Sequence, residues 1–228
     1  MKYPIKVSTI IPAYNAESFI GTCLDAVLAQ TETSAECIVV NDGSTDGTRE
    51  CLEPYLSRIT YLEQENKGVS AARNLAIQHA RGRYLTLVDA DDIVPENRFE
   101  KMLTALETTD ADMVFGHMRQ FEEHAPSVFS ELQPAVMPGG SMFSREVFDR
   151  VGPFDPALKL AEFLDWLLKF REQGFKELII PDVVLYRRIH SDNIGTRMKE
   201  SRVDYVRALK ASMDRKRARK SNSPESSG

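Results

Sequence analysis

Residues 37–44 read Cys-Ile-Val-Val-Asn-Asp-Gly-Ser, three β-branched residues in a run of four, halted by a polar cluster. A short apolar run bounded by turn residues reads as a buried strand. The same form recurs on both sides. Upstream, Lys-Val-Ser-Thr-Ile-Ile (6–11) runs into Pro12-Ala13-Tyr14-Asn15, and downstream Tyr-Leu-Thr-Leu-Val (84–88) runs into Asp89-Ala90-Asp91-Asp92. Between these runs lie helical patterns. Phe19, Ile20, Cys23, Leu24, Val27 and Leu28 follow Ser18, a plausible N-cap, and Val69, Ala72, Leu75, Ala76 and His79 repeat over 68–80. A further helix over 48–56 and a short strand over 59–62 complete the series. Strands alternating with helices predict an α/β fold with a mostly parallel sheet and right-handed crossovers. In such sheets ligands bind beyond the carboxyl ends of the strands, and all three polar clusters fall there.

Outside this unit the pattern predicts a helix over 95–106, a strand over 111–115, and a loop or edge strands over 120–138. Segments 139–148 and 158–173 read as turns into helices, and 178–180 and 183–188 as late strands. From Met198 a charged helix carries Val203, Val206, Leu209 and Met213 on one stripe. The expected organisation is one domain over 1–197 (halves 1–92 and 93–197), a helix over 198–213, and a disordered basic and Ser-rich tail over 214–228. A chain of 228 residues, 42% hydrophobic and 28% charged, suits one globular domain. A net charge of −5 argues against nucleic acid as the main partner. Cys23, Cys37 and Cys51 have no paired spacing, so neither a disulfide framework nor a zinc site is expected. No apolar run nears the ~20 residues of a membrane span. Residues 1–14 lack a signal-peptide pattern, so the expected setting is the cytoplasm. The basic stretch over 215–220 would be drawn weakly to the anionic inner face of a membrane.

The clusters carry chemistry. Asp42 is either a turn residue bonding its own backbone or a carboxylate aimed at a base-edge N–H such as that of uracil. Asp89 and Asp91 repel each other unless a cation lies close, so a hard divalent ion is expected there, although Asp91 or Asp92 could instead cap the next helix.

Taken together, V-S-T-I-I-P-A-Y-N (7–15), V-V-N-D-G-S-T-D-G-T (39–48), E-N-K-G-V-S-A-A-R-N-L-A-I (65–77) and Y-L-T-L-V-D-A-D-D (84–92) resemble the family-2 glycosyltransferases. G-G-S-M-F-S-R-E-V-F-D-R-V-G-P-F-D (139–155) and R-R-I-H (187–190) continue the match, so that it covers roughly residues 5 to 195. The resemblance implies a GT-A fold, and transfer of a sugar from a nucleotide diphosphate donor, usually with inversion and with Mg²⁺ or Mn²⁺. It implies that Pro12, Ala13, Tyr14 and Asn15 line the nucleotide and that Asp42 bonds the uracil. Asn66, Lys67, Gly68 and Arg73 would lie by the nucleotide, and Asp89 and Ala90 by the ribose or donor sugar. Asp91 would ligate the metal, with His190 closing the metal or diphosphate site. The transmembrane helices and the Q-x-x-R-W of processive synthases do not occur, so one transfer per encounter is implied. The acceptor would be a sugar, a lipid-linked molecule or another hydroxyl compound.

The chain departs from the family at the general base. Members carry adjacent Glu-Asp at a helix start, whereas here Glu162 is followed by Phe163 and the next acid is Asp165. At 100° per residue, Glu162 and Asp165 are neighbours on one helix face, where either could serve as base. Glu162 is favoured because it holds the first acidic position. Trp166 is either a core residue or a stacking platform, and Gly139-Gly140 either a tight turn or a close approach to ligand. Two other readings stand beside transfer. A nucleotidyltransferase would want a Gly-rich phosphate loop after the first strand, which 12–15 does not offer, and a non-catalytic nucleotide-sugar-binding or partner-binding domain has the missing Glu-Asp pair in its favour.

Overall fold

The computed structural model describes residues 3–123, 125–191, 193 and 203–222, with side chains to residue 219. The three runs ending in polar clusters and the short 59–62 run form parallel strands: β1 (Ile5–Ala13), β2 (Ala35–Asp42), β3 (Thr60–Gln64) and β4 (Gly82–Leu87), in the spatial order β3-β2-β1-β4. Helices α1 (Ile20–Leu28), α2 (Thr48–Leu52) and α3 (Val69–His79) make the crossovers, followed by α4 (Arg98–Thr108). This half is the expected α/β unit.

The sheet then continues as a mixed one. β5 (Met113–Glu122) extends the 111–115 strand well beyond its expected end, and β6 (Ala125–Phe129) and β7 (Gln133–Pro134) are the edge strands of the 120–138 segment. β8 (Ser141–Ser144) is a strand where a turn into helix was expected. It lies antiparallel between β4 and β5 and joins the two halves of the sheet. The two late strands are one, β9 (Glu177–Ile189), parallel to β5 with a register shift opposite Pro181-Asp182. Proline cannot donate to a ladder, so the bulge falls at that point. Gly116 admits it: a Cβ there would stand 2.4 Å from Val184 Cγ1.

The sheet is covered on both faces. α1 and α4 pack on one through Ile20, Leu24, Phe99 and Met102. On the other lie α3, α5 (Arg145–Val151) and α6 (Glu162–Glu172), with Ala76, Phe148, Phe163 and Trp166 in the core. Trp166 is 1% exposed and donates Nε1–H to the Gly152 carbonyl, so it is a core residue and no platform.

Helix α7 (Val203–Asn222) corrects two expectations. It continues past residue 213, so 214–222 are helical, while 198–202 and 223–228 lie outside the described residues. The cause is the acidic face of α6. Arg215 donates Nε–H to Glu172 at 2.7 Å and reaches Asp165 at 3.4 Å, and Ser212 donates to Glu172 at 2.5 Å. Burial works against the Glu172 carboxylate, but Arg215 and Ser212 outweigh it and hold its pKa below the ordinary value. For the same reason α7 turns Asp204, Ala208 and Ser212 inward and leaves its apolar stripe exposed. Among the described residues no helix is long and apolar enough to cross a membrane.

Candidate active site

The carboxyl ends of β1, β2 and β4 lie side by side, and the loops that follow them are tied to one another. Asn15, at φ 49°, accepts from Thr45 N–H at 2.8 Å, and its own N–H donates to Ser44 Oγ at 3.0 Å. Asn15 therefore braces the β1 and β2 loops. Pro12 and Ala13 are buried, whereas the Tyr14 ring is 48% exposed above them.

Asp42 is 3% exposed and clamps a third loop. Its Oδ1 accepts from Gln64 Nε2 at 2.7 Å and Lys67 N at 2.9 Å, and its Oδ2 from Gly68 N at 2.8 Å. This carboxylate shapes the Asn66-Lys67-Gly68 turn, leaving Asn66 and Lys67 exposed at its rim.

The centre of the site is Arg73, on the inner face of α3. Its side chain is 3% exposed and bridges two carboxylates, Nη2 to Asp89 Oδ1 at 2.7 Å and Nη1 to Glu162 Oε1 at 2.6 Å. Burial opposes the charge of Arg73, yet the two carboxylates outweigh it and raise its pKa. The guanidinium is thus a strut between Asp89, beyond the end of β4, and Glu162, the first acid of α6. Asp89 keeps 30% of its side chain exposed at the strand edge.

Asp165 does not join this cluster. It pairs with Lys169 at 2.7 Å and Arg215 at 3.4 Å, on the side of α6 that faces α7. Phe163, at the family's second acidic position, is 6% exposed and packs edge-on to Phe115 in the core.

Asp91 lies beside His190, with Nε2 and Oδ2 2.9 Å apart, and Asn193 Nδ2 donates to the same oxygen at 3.0 Å. The imidazole packs on Phe19 at 4.4 Å between ring centres. Burial first, and then Asp89, raise the Asp91 pKa against the opposing effect of His190. Asp92 is pushed well up by its burial and by both neighbours, and accepts from Arg188 N at 3.0 Å. Among the described residues no cluster of three or more His, Cys, Asp or Glu forms a preassembled metal cage. The oxygen and nitrogen donors of Asp91 and His190, facing each other amid surplus carboxylate charge, nevertheless suit a divalent cation that also draws ligands from its substrate.

Three residues of this region were given no role by the sequence reading, although Arg188 lies within the R-R-I-H stretch. Asn193 and Arg188 order Asp91, Arg188 through Nε–H to its carbonyl at 2.9 Å. Arg98, fully buried, donates to the carbonyls of Gly139 (2.5 Å), Val184 (2.8 Å) and Ser141 (3.2 Å) and so fixes the 138–140 turn beside Asp92. In that turn a Cβ on Gly140 would stand 2.0 Å from the Ala135 carbonyl oxygen, so a tight backbone approach accounts for this glycine. Gly140→Ala is expected to cost about 1–3 kcal/mol by overpacking, lowering the melting temperature by roughly 2–12 °C. A calorimetric scan of the variant checks this.

The sequence profile described as glycosyl transferase family 2 matches residues 8–127, more than half of the chain. The chain belongs to this family. It is 42% identical over 208 residues to EpsJ of Bacillus subtilis (strain 168), described as an uncharacterized glycosyltransferase, a match covering 79% of this chain and 60% of that one. Among solved structures, S. aureus TarS (residues 1–349) in complex with UDP shares the fold at a TM-score of 0.70 and 23% identity, over 88% of this chain and 65% of that one. The Pyrobaculum calidifontis mannosyltransferase PcManGT, in complex with GDP-Man and Mn²⁺, matches at a TM-score of 0.66 and 22% identity, over 91% and 62%. These likenesses establish the GT-A fold. The chain spans 60% of EpsJ and only 23% of another matching glycosyltransferase, GlyA of Streptococcus pneumoniae.

Proposed function

We propose that this family member transfers a single sugar from a nucleotide diphosphate sugar, a UDP-sugar foremost, to an acceptor hydroxyl with inversion, in the cytoplasm. The observation that carries the reading is the Asp89–Arg73–Glu162 bridge, which ties a carboxylate at the donor edge to one at the start of α6. The donor would lie along the β1, β2 and β4 ends, its base near Tyr14 and the Asp42-clamped turn and its sugar at Asp89. Glu162 would take the proton of the attacking hydroxyl. Asp91 and His190 would hold Mg²⁺ or Mn²⁺, which supplies positive charge for the leaving diphosphate. UDP and Mn²⁺ in the neighbouring complexes support these choices.

Buried Phe163 favours a second reading, a domain that binds nucleotide sugar without transferring it. A melting-temperature panel of UDP, GDP, CDP and ADP, with and without Mn²⁺, tests the site itself. UDP at about 100 times its Kd should stabilise the fold by about 2.7 kcal/mol. The shift is expected to need Mn²⁺ and to vanish in Asp91→Ala. A flat panel sinks both readings, whereas UDP binding without UDP release from UDP-sugars in the presence of acceptors selects the second.

A further inference from the structure

Helix α7 is amphipathic in the wrong sense for a helix that only packs on a core. Its inward residues are Asp204, Ala208, Ser212 and Arg215, held by ion pairs and hydrogen bonds to α6. Its outward residues are apolar: Val203 is 54% exposed, Val206 65%, Leu209 49% and Met213 55%, with Tyr205 alongside. At 100° per residue the first four span an arc of about 120°. Exposed Lys210 and Arg217 lie within that arc, between Val206 and Val203, with exposed Asp214 just beyond Val203, and exposed Lys216 lies just beyond the Leu209 edge.

We infer that this face lies on an anionic lipid surface. Charge selects the occupant. Residues 203–222 hold seven Lys and Arg against two Asp, whereas the whole chain carries a net charge of −5. A basic, apolar helix on an acidic body is attracted to an anionic surface by one side and repelled from it by the other, so the chain would land in one orientation. Long Lys210 and Arg217 side chains can extend from within the stripe to headgroups while the Leu209, Met213 and Val206 side chains enter the interface, and tyrosine suits the same depth. A second copy of the chain fits less well, since a two-fold contact through this face would set Lys210 and Arg217 of one α7 against those of the other.

The landing places the site usefully. Lys159 N–H donates to Asp204 at 3.0 Å near the start of α6, and Arg215 reaches Glu172 at the end of α6. The two helices therefore run side by side in the same direction, and the Val203–Val206 turn lies at the Glu162 end. Resting on the transfer reading, this geometry favours an acceptor hydroxyl presented from the membrane on a lipid carrier. Lipid binding itself does not depend on that reading.

The test is co-sedimentation of the full chain with vesicles of phosphatidylcholine alone or mixed with phosphatidylglycerol, beside Val206→Asp/Leu209→Asp and Lys210→Glu/Arg217→Glu. The parent is expected to bind the mixed vesicles about tenfold better, and each double variant to lose about tenfold. Both variants change exposed positions, so their melting temperatures and UDP-induced shifts should match the parent's. These controls separate loss of lipid binding from loss of the donor site. Equal binding to both vesicle types, or undiminished binding by Val206→Asp/Leu209→Asp, overturns the proposal. So does a lipid-free dimer, seen by sedimentation equilibrium, that the apolar variant dissociates.

Discussion

Arg73→Met is expected to lower the melting temperature by roughly 6–20 °C and to abolish transfer. The guanidinium is buried with two carboxylates within 2.7 Å, so its removal strands Glu162, whose side chain is only 8% exposed, and leaves Asp89 without its partner. Breaking a buried ion pair from one side costs about 3–5 kcal/mol, and each kcal/mol moves the midpoint of a domain this size by about 2–4 °C. Charge, and not lost volume, is the claimed cause, and a second substitution separates the two. Adding Glu162→Gln to Arg73→Met removes the stranded acid on α6 and should recover a substantial part of the stability while leaving transfer absent. If the double variant is no more stable than Arg73→Met, the strut acts through packing and the electrostatic account fails.

Glu162→Gln alone should lower kcat by about 10²–10⁴-fold, the usual worth of a positioned general base. The amide can still accept from Arg73 Nη1, and Arg73 keeps Asp89, so the fold and the Mn²⁺-dependent response to UDP should survive. Asp165→Asn is the matched comparison. It weakens the Asp165 pairs with Lys169 of the same helix and with Arg215 of α7, and should leave kcat within about threefold of the parent. Steady-state UDP release with an acceptor found by screening reads both variants. A Glu162→Gln rate close to the parent's would remove Glu162 as the base.

The pair shows where sequence reading reaches its limit. Helical spacing made Glu162 and Asp165 neighbours on one face, yet a separation of about 60° around the helix sends one to Arg73 and the other to Arg215. No pattern within α6 encodes that choice, because both partners come from other helices. The polar carboxyl edge of the sheet was legible for the opposite reason. β1, β2 and β4 each show an apolar run and its polar ending within one short stretch, and the topology does the rest. β8 was not legible, since Ser-Met-Phe-Ser is too short to show a period and owes its conformation to β4 and β5. The stripe of α7 was legible as a stripe but its direction was not, because the acids of α6 that draw Ser212 and Arg215 inward come from another helix. Asn193 and Arg188 act on Asp91 across about a hundred residues of chain, and Asn193 lies beyond the last motif.

The late arrival of β8 bears on how the chain is made. β1 to β4 are complete by Leu87, but the free side of β4 pairs with Ser141–Ser144, roughly fifty residues later. At about 5–20 residues per second, a nascent chain would hold that edge open for several seconds. An unpaired, apolar strand edge is a template for unwanted pairing, and Tyr84, Leu85 and Leu87 would supply it. The short span that joins the two halves of the sheet thus sets the interval in which the growing polypeptide carries an open, aggregation-prone edge.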